Sequence, residues 1–221
     1  GLGVVTAEIA QKAGQVIAVE IDKELVQISR TVLKDFPNVK IIAADFLKTP
    51  DLSPDPSSRP PTHYKIIGNL PYYITAPIVE KILTAKNKAQ IAVVMVQKEV
   101  AERMAAKPGT KKYGSFSVFC QYYATVSIIS FVSKSSFLPW PEVGSALVSL
   151  IPHSYPLFPG LNEKLFFDLV HAAFQQRRKQ LRNSLKEYNL EKAGIDLSRR
   201  PETVSVEEFA TLVNYCYNSK P

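Results

Sequence analysis

A short segment over residues 68–75 (GNLPYYIT) combines residue types that could bind a planar base with an amino group. Pro71 has no amide hydrogen and forces Leu70 into an extended conformation, so we expect carbonyl groups here to face a pocket. Asn69 adds a side-chain carbonyl. Two such acceptors suit an amino group with two hydrogens, and the ring of Tyr72 offers a flat surface for stacking. The alternative is an ordinary turn with an incidental tyrosine.

Two glycines and two acids could bind a nucleoside. Gly1 and Gly3 precede a predicted helix, where a backbone without side chains can approach a ligand closely. Glu20 ends the next predicted strand, at roughly the spacing where an acid meets a pair of ribose hydroxyls. Asp45 ends a further strand and could accept a hydrogen bond from an adenine amino group. Each acid alone is more typical of a helix cap or a surface position. Together, in this order, they favour an adenosine-shaped site.

The first half of the chain alternates short apolar runs with helical patterns, which predicts an α/β doubly wound domain. Strands are predicted over residues 16–21, 39–43, 64–68 and 91–96, and helices over residues 4–12, 23–35 and 76–84. Strands that are apolar on both faces and separated by helices indicate a parallel sheet covered on both sides. Ligands bind beyond the carboxyl ends of such strands, which is where Glu20, Asp45 and Asn69 fall.

The second half changes character twice. Residues 124–133 and 146–152 are rich in β-formers with no helix-length connection, which predicts an antiparallel hairpin that closes the sheet. Residues 47–63, rich in proline and serine, are predicted to form a loop. Beyond residue 160 the pattern is helical, and Ser205 with Glu208 predicts a capping box before a final helix. We therefore predict two domains, residues 1–155 and 156–221.

The net charge of +7 is concentrated in one stretch of the chain. From Lys81 to Lys112 there are eight basic residues and two acidic ones, which leaves the rest of the chain almost neutral. A second basic cluster runs from Arg177 to Arg182. Such runs are commonly solvated faces, but their concentration favours a polyanion such as a phosphate backbone.

Composition also excludes several classes of protein. Cys120 and Cys216 lie far apart without paired spacing, so neither a disulfide framework nor a zinc site is indicated, and we expect both to be small buried hydrophobes. No apolar stretch has the length of a membrane span, and the N-terminus lacks the pattern of a secretory signal. We expect a soluble, cytoplasmic protein that needs no metal.

Several motifs carry a resemblance to one family. NLPY after a strand resembles motif IV of S-adenosylmethionine-dependent amino methyltransferases, and GNLPYYIT in particular resembles the ribosomal RNA adenine dimethyltransferase family. Four further stretches are similar to the bacterial small-subunit enzymes: QKEVAERMAAKPGTKKYGSFSV, FLPWPEVGSALVSL, QRRKQLRNSL and GIDLSRRPETVSVEEF. The resemblance runs from Gly1 to about Tyr217.

This resemblance implies a Rossmann-like class I methyltransferase sheet with a small all-helical C-terminal domain. It implies a monomer that uses S-adenosylmethionine to dimethylate N6 of adenines in small-subunit ribosomal RNA or an immature small subunit. The implied cofactor-binding residues are Gly1, Gly3, Glu20, Asp45 and Asn69. The implied catalytic residues, which hold the target base, are Asn69, Leu70, Tyr72 and Phe137. The expected RNA-binding residues are Lys98, Arg103, Lys107, Lys111, Lys112, Arg177, Arg178, Lys179 and Arg182.

The chain departs from the family in two places. The family's first strand, with an acid and an earlier glycine, is absent, so we expect upstream residues in the natural protein and weak binding of S-adenosylmethionine without them. Gly144 stands where the family more often has a charged or polar residue, and Trp140 is expected to pack within its loop.

Two alternatives stay open: a large-subunit RNA methyltransferase of the macrolide-resistance type, and a non-catalytic assembly or transcription factor. NLPYYIT and RRPETVSVEEF favour the small-subunit enzyme.

Overall fold

The computed structural model describes residues 1–49, 64–138, 140–154 and 156–218. The predicted loop over residues 47–63 therefore lies mostly outside the described residues. The chain forms two compact units, one comprising Gly1–Tyr64 with Ala76–Asn87 and the other Lys65–Thr75 with Lys88–Pro221. The predicted boundary at residue 155 stays a prediction.

The first unit contains a two-stranded parallel sheet flanked by helices. It begins with α1 (Val4–Ala10), β1 (Val16–Glu20), α2 (Lys23–Val32) and β2 (Val39–Ala43), and it includes most of α3 (Thr75–Thr84). Parallel pairing runs without a break from Val16 opposite Val39 to Glu20 opposite Ala43. Helix α2 begins where it does because Asp22 caps it, accepting hydrogen bonds from the amides of Glu24 (2.8 Å) and Leu25 (3.1 Å). The predicted strand and helix order is confirmed here.

The second unit contains a mixed sheet in the order β3, β4, β6, β5. Its elements are β3 (Lys65–Asn69), β4 (Ile91–Gln97), α4 (Lys98–Met104), α5 (Ser115–Tyr123), β5 (Ala124–Val132) and β6 (Ser145–Pro152). β3 is parallel to β4, whereas β6 is antiparallel to both β4 and β5. The predicted hairpin is thus confirmed, while α4 and α5 were not predicted.

The end of the chain is helical, as predicted, with α6 (Glu163–Gln175), α7 (Leu181–Ser184) and α8 (Val206–Asn218). Fully buried side chains such as Phe166, Leu181 and Phe209 belong to one apolar cluster that also takes in Tyr122 of α5. The predicted capping box is present, since Ser205 and Glu208 exchange hydrogen bonds of 2.8 and 3.2 Å between backbone and side chain.

Two further expectations concern single features. Cys120 and Cys216 are both buried, in agreement with the prediction. Among the described residues, no helix has the length and apolar character that a membrane crossing requires.

Candidate active site

The carboxyl end of the β1–β2 sheet carries two of the predicted cofactor-binding acids. Glu20 is the last residue of β1, lies opposite Ala43, and accepts a backbone hydrogen bond of 3.0 Å from the amide of Ala44. Asp45 follows immediately. The structure therefore brings Glu20 and Asp45 to the same end of the sheet, because the two strands are parallel and in register.

The Glu20 carboxylate is oriented by its own chain. Its Oε1 accepts a hydrogen bond of 2.9 Å from the amide of Asp22. A carboxylate oriented in this way has further acceptor positions for ribose hydroxyls.

Asp45 caps the short helical turn Phe46–Lys48, and its Oδ1 accepts from the amide of Leu47 at 2.9 Å. Lys81 holds the far side of this turn, since its ammonium group donates to the carbonyls of Leu47 (2.9 Å) and Thr49. Burial lowers the pKa of Lys81, and Asp45 acts in the opposite direction. The first lysine of the basic stretch therefore supports this turn internally.

Gly3 occupies a backbone conformation that favours glycine. It precedes α1 with φ of 86°, and a Cβ at this position would lie 3.3 Å from Cδ1 of Leu33. The neighbouring carbonyl of Gly1 accepts a hydrogen bond of 2.7 Å from Ser29 of α2. The glycine segment is thus held against α2.

The predicted base-binding segment begins where β3 ends. Asn69 lies opposite Met95, and the Leu70 amide donates to the Met95 carbonyl at 3.0 Å. The Pro71 carbonyl accepts from the Ile74 amide at 3.2 Å. No hydrogen bond among the described residues uses the Leu70 carbonyl or the exposed Asn69 side chain. Two acceptors on consecutive residues therefore have no hydrogen-bond donor among the described residues.

Tyr72 is fixed by a residue that the sequence interpretation missed. Its hydroxyl forms a hydrogen bond of 2.7 Å with the hydroxyl of Ser145, the first residue of β6. Ser145 is buried and lies opposite Gln97 of β4 and Val132 of β5. The only sequence signal was its place in the quoted stretch FLPWPEVGSALVSL, which gave no reason to assign it a role.

Phe137 follows the turn Lys134–Ser136 that leaves β5, and it is half-buried. Within the described chain its ring makes no aromatic contact with Tyr72, so the two predicted base-stacking rings are not in contact with one another. Trp140 is 70% exposed, which shows that the expectation of packing within its loop was wrong.

The predicted RNA-binding residues fall into two groups. Four of the nine line one cavity of about 520 Å³: Arg103, Lys111, Lys112 and Arg177. The other five are exposed: Lys98, Lys107, Arg178, Lys179 and Arg182. Lys98 lies 5.2 Å from the ring centroid of Phe131. The structure thus joins part of the basic stretch to one residue of the second basic cluster, which sequence spacing alone did not indicate.

Comparison with known proteins identifies close relatives. The chain is 40% identical over 229 residues to the ribosomal RNA small subunit methyltransferase A of Clostridium botulinum (strain Kyoto / Type A2). The aligned region covers 99% of this chain and 82% of that protein. It is 42% identical over 236 residues to the protein of the same name from Enterococcus faecalis. That alignment covers 100% of this chain and 80% of the relative.

Solved structures share the fold. A dimethyladenosine transferase from Plasmodium falciparum superimposes with a TM-score of 0.83 at 23% identity, over 99% of this chain and 87% of that one. The 23S rRNA methyltransferase ErmE superimposes with a TM-score of 0.76 at 26% identity, over 98% of this chain and 88% of that one. These neighbours and the sheet with its helices assign an α/β, Rossmann-like methyltransferase fold. The family model described as ribosomal RNA adenine dimethylase matches residues 1–218, and the chain belongs to that family.

Proposed function

We propose that the protein transfers methyl groups from S-adenosylmethionine to N6 of adenines in small-subunit ribosomal RNA, two per adenine. The observation that carries this proposal is a pair of acceptors at the carboxyl end of β3, the Asn69 side chain and the Leu70 carbonyl, which have no hydrogen-bond partner among the described residues. The names of the curated relatives support the choice of the small subunit.

The residues of the first unit fit an adenosine-containing methyl donor. Glu20 is oriented by the Asp22 amide and suits ribose hydroxyls, and Asp45 keeps one carboxylate oxygen beyond its cap for an adenine amino group. Gly1 and Gly3 have no side chains, so a ligand can approach the backbone there. When bound, S-adenosylmethionine supplies a methyl group activated by the positive sulfonium. Asn69 is proposed to contact the donor as well as the base.

The residues of the second unit fit the acceptor base. The N6 amino group of adenine is a poor nucleophile, because its lone pair is delocalised into the ring. Asn69 and the Leu70 carbonyl would each accept one N6 hydrogen, which favours a pyramidal nitrogen whose lone pair can point at the methyl group. Tyr72 and Phe137 would stack on the base. Alignment and electrostatics dominate, and no strong base is needed.

A base within a helix cannot be reached, so the adenine must be unpaired or flipped out of its stack. The nine basic residues Lys98, Arg103, Lys107, Lys111, Lys112, Arg177, Arg178, Lys179 and Arg182 are proposed to bind the surrounding phosphates. We expect the protein to act as a monomer in the cytoplasm, where small subunits are assembled.

The substrate test separates this function from the large-subunit activity that the similarity to ErmE also favours. Radiolabelled methyl groups should be incorporated into undermethylated small subunits and not into naked large-subunit RNA. The reverse preference would assign the chain to the large-subunit type, and incorporation into neither would support a non-catalytic factor.

A further inference from the structure

The cavity of about 520 Å³ in the second unit has walls that suit more than an isolated phosphate. It is bounded by α4, by the start of α5 and by the end of α6. None of its lining residues belongs to the segment over residues 68–75. Its volume lies within the range of about 300–1,000 Å³ typical of small-molecule sites.

The charge of the lining favours an anion. Four basic side chains face one carboxylate, that of Glu99. Lys112 is already paired with Glu102 outside the lining. Arg103 and Lys111 have no ion pair within the described chain, so their charges are available to a ligand. Arginine and lysine together are the usual ligands of nucleic-acid phosphates.

The walls are held in place before any ligand arrives. The guanidinium of Arg177 donates from Nη2 to the carbonyls of Lys111 (3.1 Å) and Tyr113 (2.8 Å), which ties the end of α6 to the loop before α5. Gln121 of α5 donates to the carbonyls of Met104 (3.1 Å) and Ala106 (2.8 Å), which fixes the other end of that loop. Pre-formed walls reduce the entropy lost on binding.

One wall is aromatic. The Phe174 ring lines the cavity and is itself supported by edge contact with Tyr113, at 6.1 Å between centroids, and by a tilted contact with Phe209 at 6.0 Å. A phosphate group alone would gain no binding energy from contact with an aromatic ring. Aromatic rings beside basic side chains are how proteins bind single-stranded nucleic acid without sequence preference.

We propose that this cavity binds one nucleotide of the substrate RNA, with the phosphate on Arg103 and Lys111 and the nucleoside against Phe174. It is a second nucleotide site, which anchors the RNA strand while the target adenine occupies the segment over residues 68–75. The inference rests on the proposed function, since it takes the substrate RNA as the ligand.

The double variant Arg103→Gln with Lys111→Gln tests the phosphate contact. Fluorescence anisotropy with a labelled single-stranded RNA oligonucleotide should show affinity reduced by about tenfold, and the slope of log affinity against log salt should fall by about 0.7 per lost phosphate contact. The KM for undermethylated small subunits should rise by a similar factor with kcat unchanged. Lys192→Gln, which removes one exposed charge elsewhere in the same unit, is the control. Unchanged affinity and slope in the double variant would overturn the proposal.

A second measurement tests whether a nucleotide, and not phosphate alone, fills the cavity. Amide NMR signals of Gly114 and Ser115, which line it, should shift more with uridine 5′-monophosphate than with the same concentration of inorganic phosphate. Equal shifts, or none, would overturn the nucleotide assignment. These binding readouts do not depend on catalysis. An absence of methyl transfer by the natural protein would contradict the proposed function alone.

Discussion

The hydrogen-bond acceptors of the two units differ in whether their own backbone already donates to them. In the first unit, the carboxylates of Glu20 and Asp45 each accept a hydrogen bond of 2.9 Å from a backbone amide two residues further on. In the second unit, the Asn69 side chain and the Leu70 carbonyl accept none within the described chain. A carboxylate has about four acceptor positions, so it can be oriented by its own backbone and still bind a hydroxyl.

This difference separates holding a ligand from reacting with one. The oriented carboxylates suit a ligand that must be held in a fixed position. The open acceptors suit an amino group whose hydrogens must be directed. Loss of a residue in the first unit should therefore act mainly on cofactor affinity, and loss of a residue in the second mainly on turnover. The following variants test that division.

The largest effect is expected for Asn69→Ala. Loss of the acceptor should reduce kcat for methyl transfer to small subunits by about 100-fold or more, by analogy with removing one preorganised group from an active site. Affinity for S-adenosylmethionine should fall far less, and the unfolding temperature should not change because the side chain is exposed and unpartnered. Asn183→Ala, an exposed asparagine outside the site, is the control. A variant with more than a tenth of normal kcat would contradict the proposed role.

Glu20→Gln should act on the cofactor. Hydrogen bonds to a charged group contribute about 1.5–3 kcal/mol, which corresponds to an increase of about 10- to 100-fold in the KM for S-adenosylmethionine. Turnover at saturating cofactor should be retained. Asp35→Asn removes an exposed acid from the same unit and should leave both constants unchanged. If kcat fell while KM stayed constant, the division between the units would be wrong.

Gly3→Ala tests the backbone of the first unit. The positive φ of 86° and the approach to Leu33 should cost about 1–2 kcal/mol in the free energy of unfolding, measured with urea. Gly14→Ala is a matched control, since a Cβ at Gly14 meets no atom within 4 Å. Equal stability of the two variants would show that Gly3 is not under this constraint.

Tyr72→Phe should have the smallest effect. The ring remains and only the hydrogen bond to Ser145 is lost, which is equivalent to about 0.5–1.5 kcal/mol or roughly 2- to 10-fold in kcat/KM for the RNA substrate. Ser145→Ala should give a similar loss, and the double variant should lose no more than either single one. Losses that simply add would mean that the two hydroxyls act independently.

The strand and helix order was predictable because apolar periodicity reports burial directly. The ends of β1 and β2 followed from runs such as residues 39–43, and these strand ends place Glu20 and Asp45 side by side. The open acceptors at Asn69 and Leu70 followed from the restrictions that Pro71 imposes. All of these are local consequences of sequence.

Features that depend on distant contacts were not predictable. Lys81 appeared to be one more surface cation, because nothing local shows that the carbonyls of Leu47 and Thr49 surround it. Arg177 joins the wall formed by Lys111 through a contact across 66 residues of sequence. The exposure of Trp140 was also missed, since proline-rich spacing says nothing about which face of a loop is solvated.

The hydrogen bond between Tyr72 and Ser145 joins residues 73 positions apart, and this separation limits how the motif can be transplanted. A chimaera that grafts residues 68–75 onto another sheet would copy the acceptors but leave the tyrosine hydroxyl without its serine. Recombination between relatives should therefore succeed when the motif and the first residues of β6 are inherited together. Base recognition therefore depends on two segments that are distant in sequence, residues 68–75 and the start of β6.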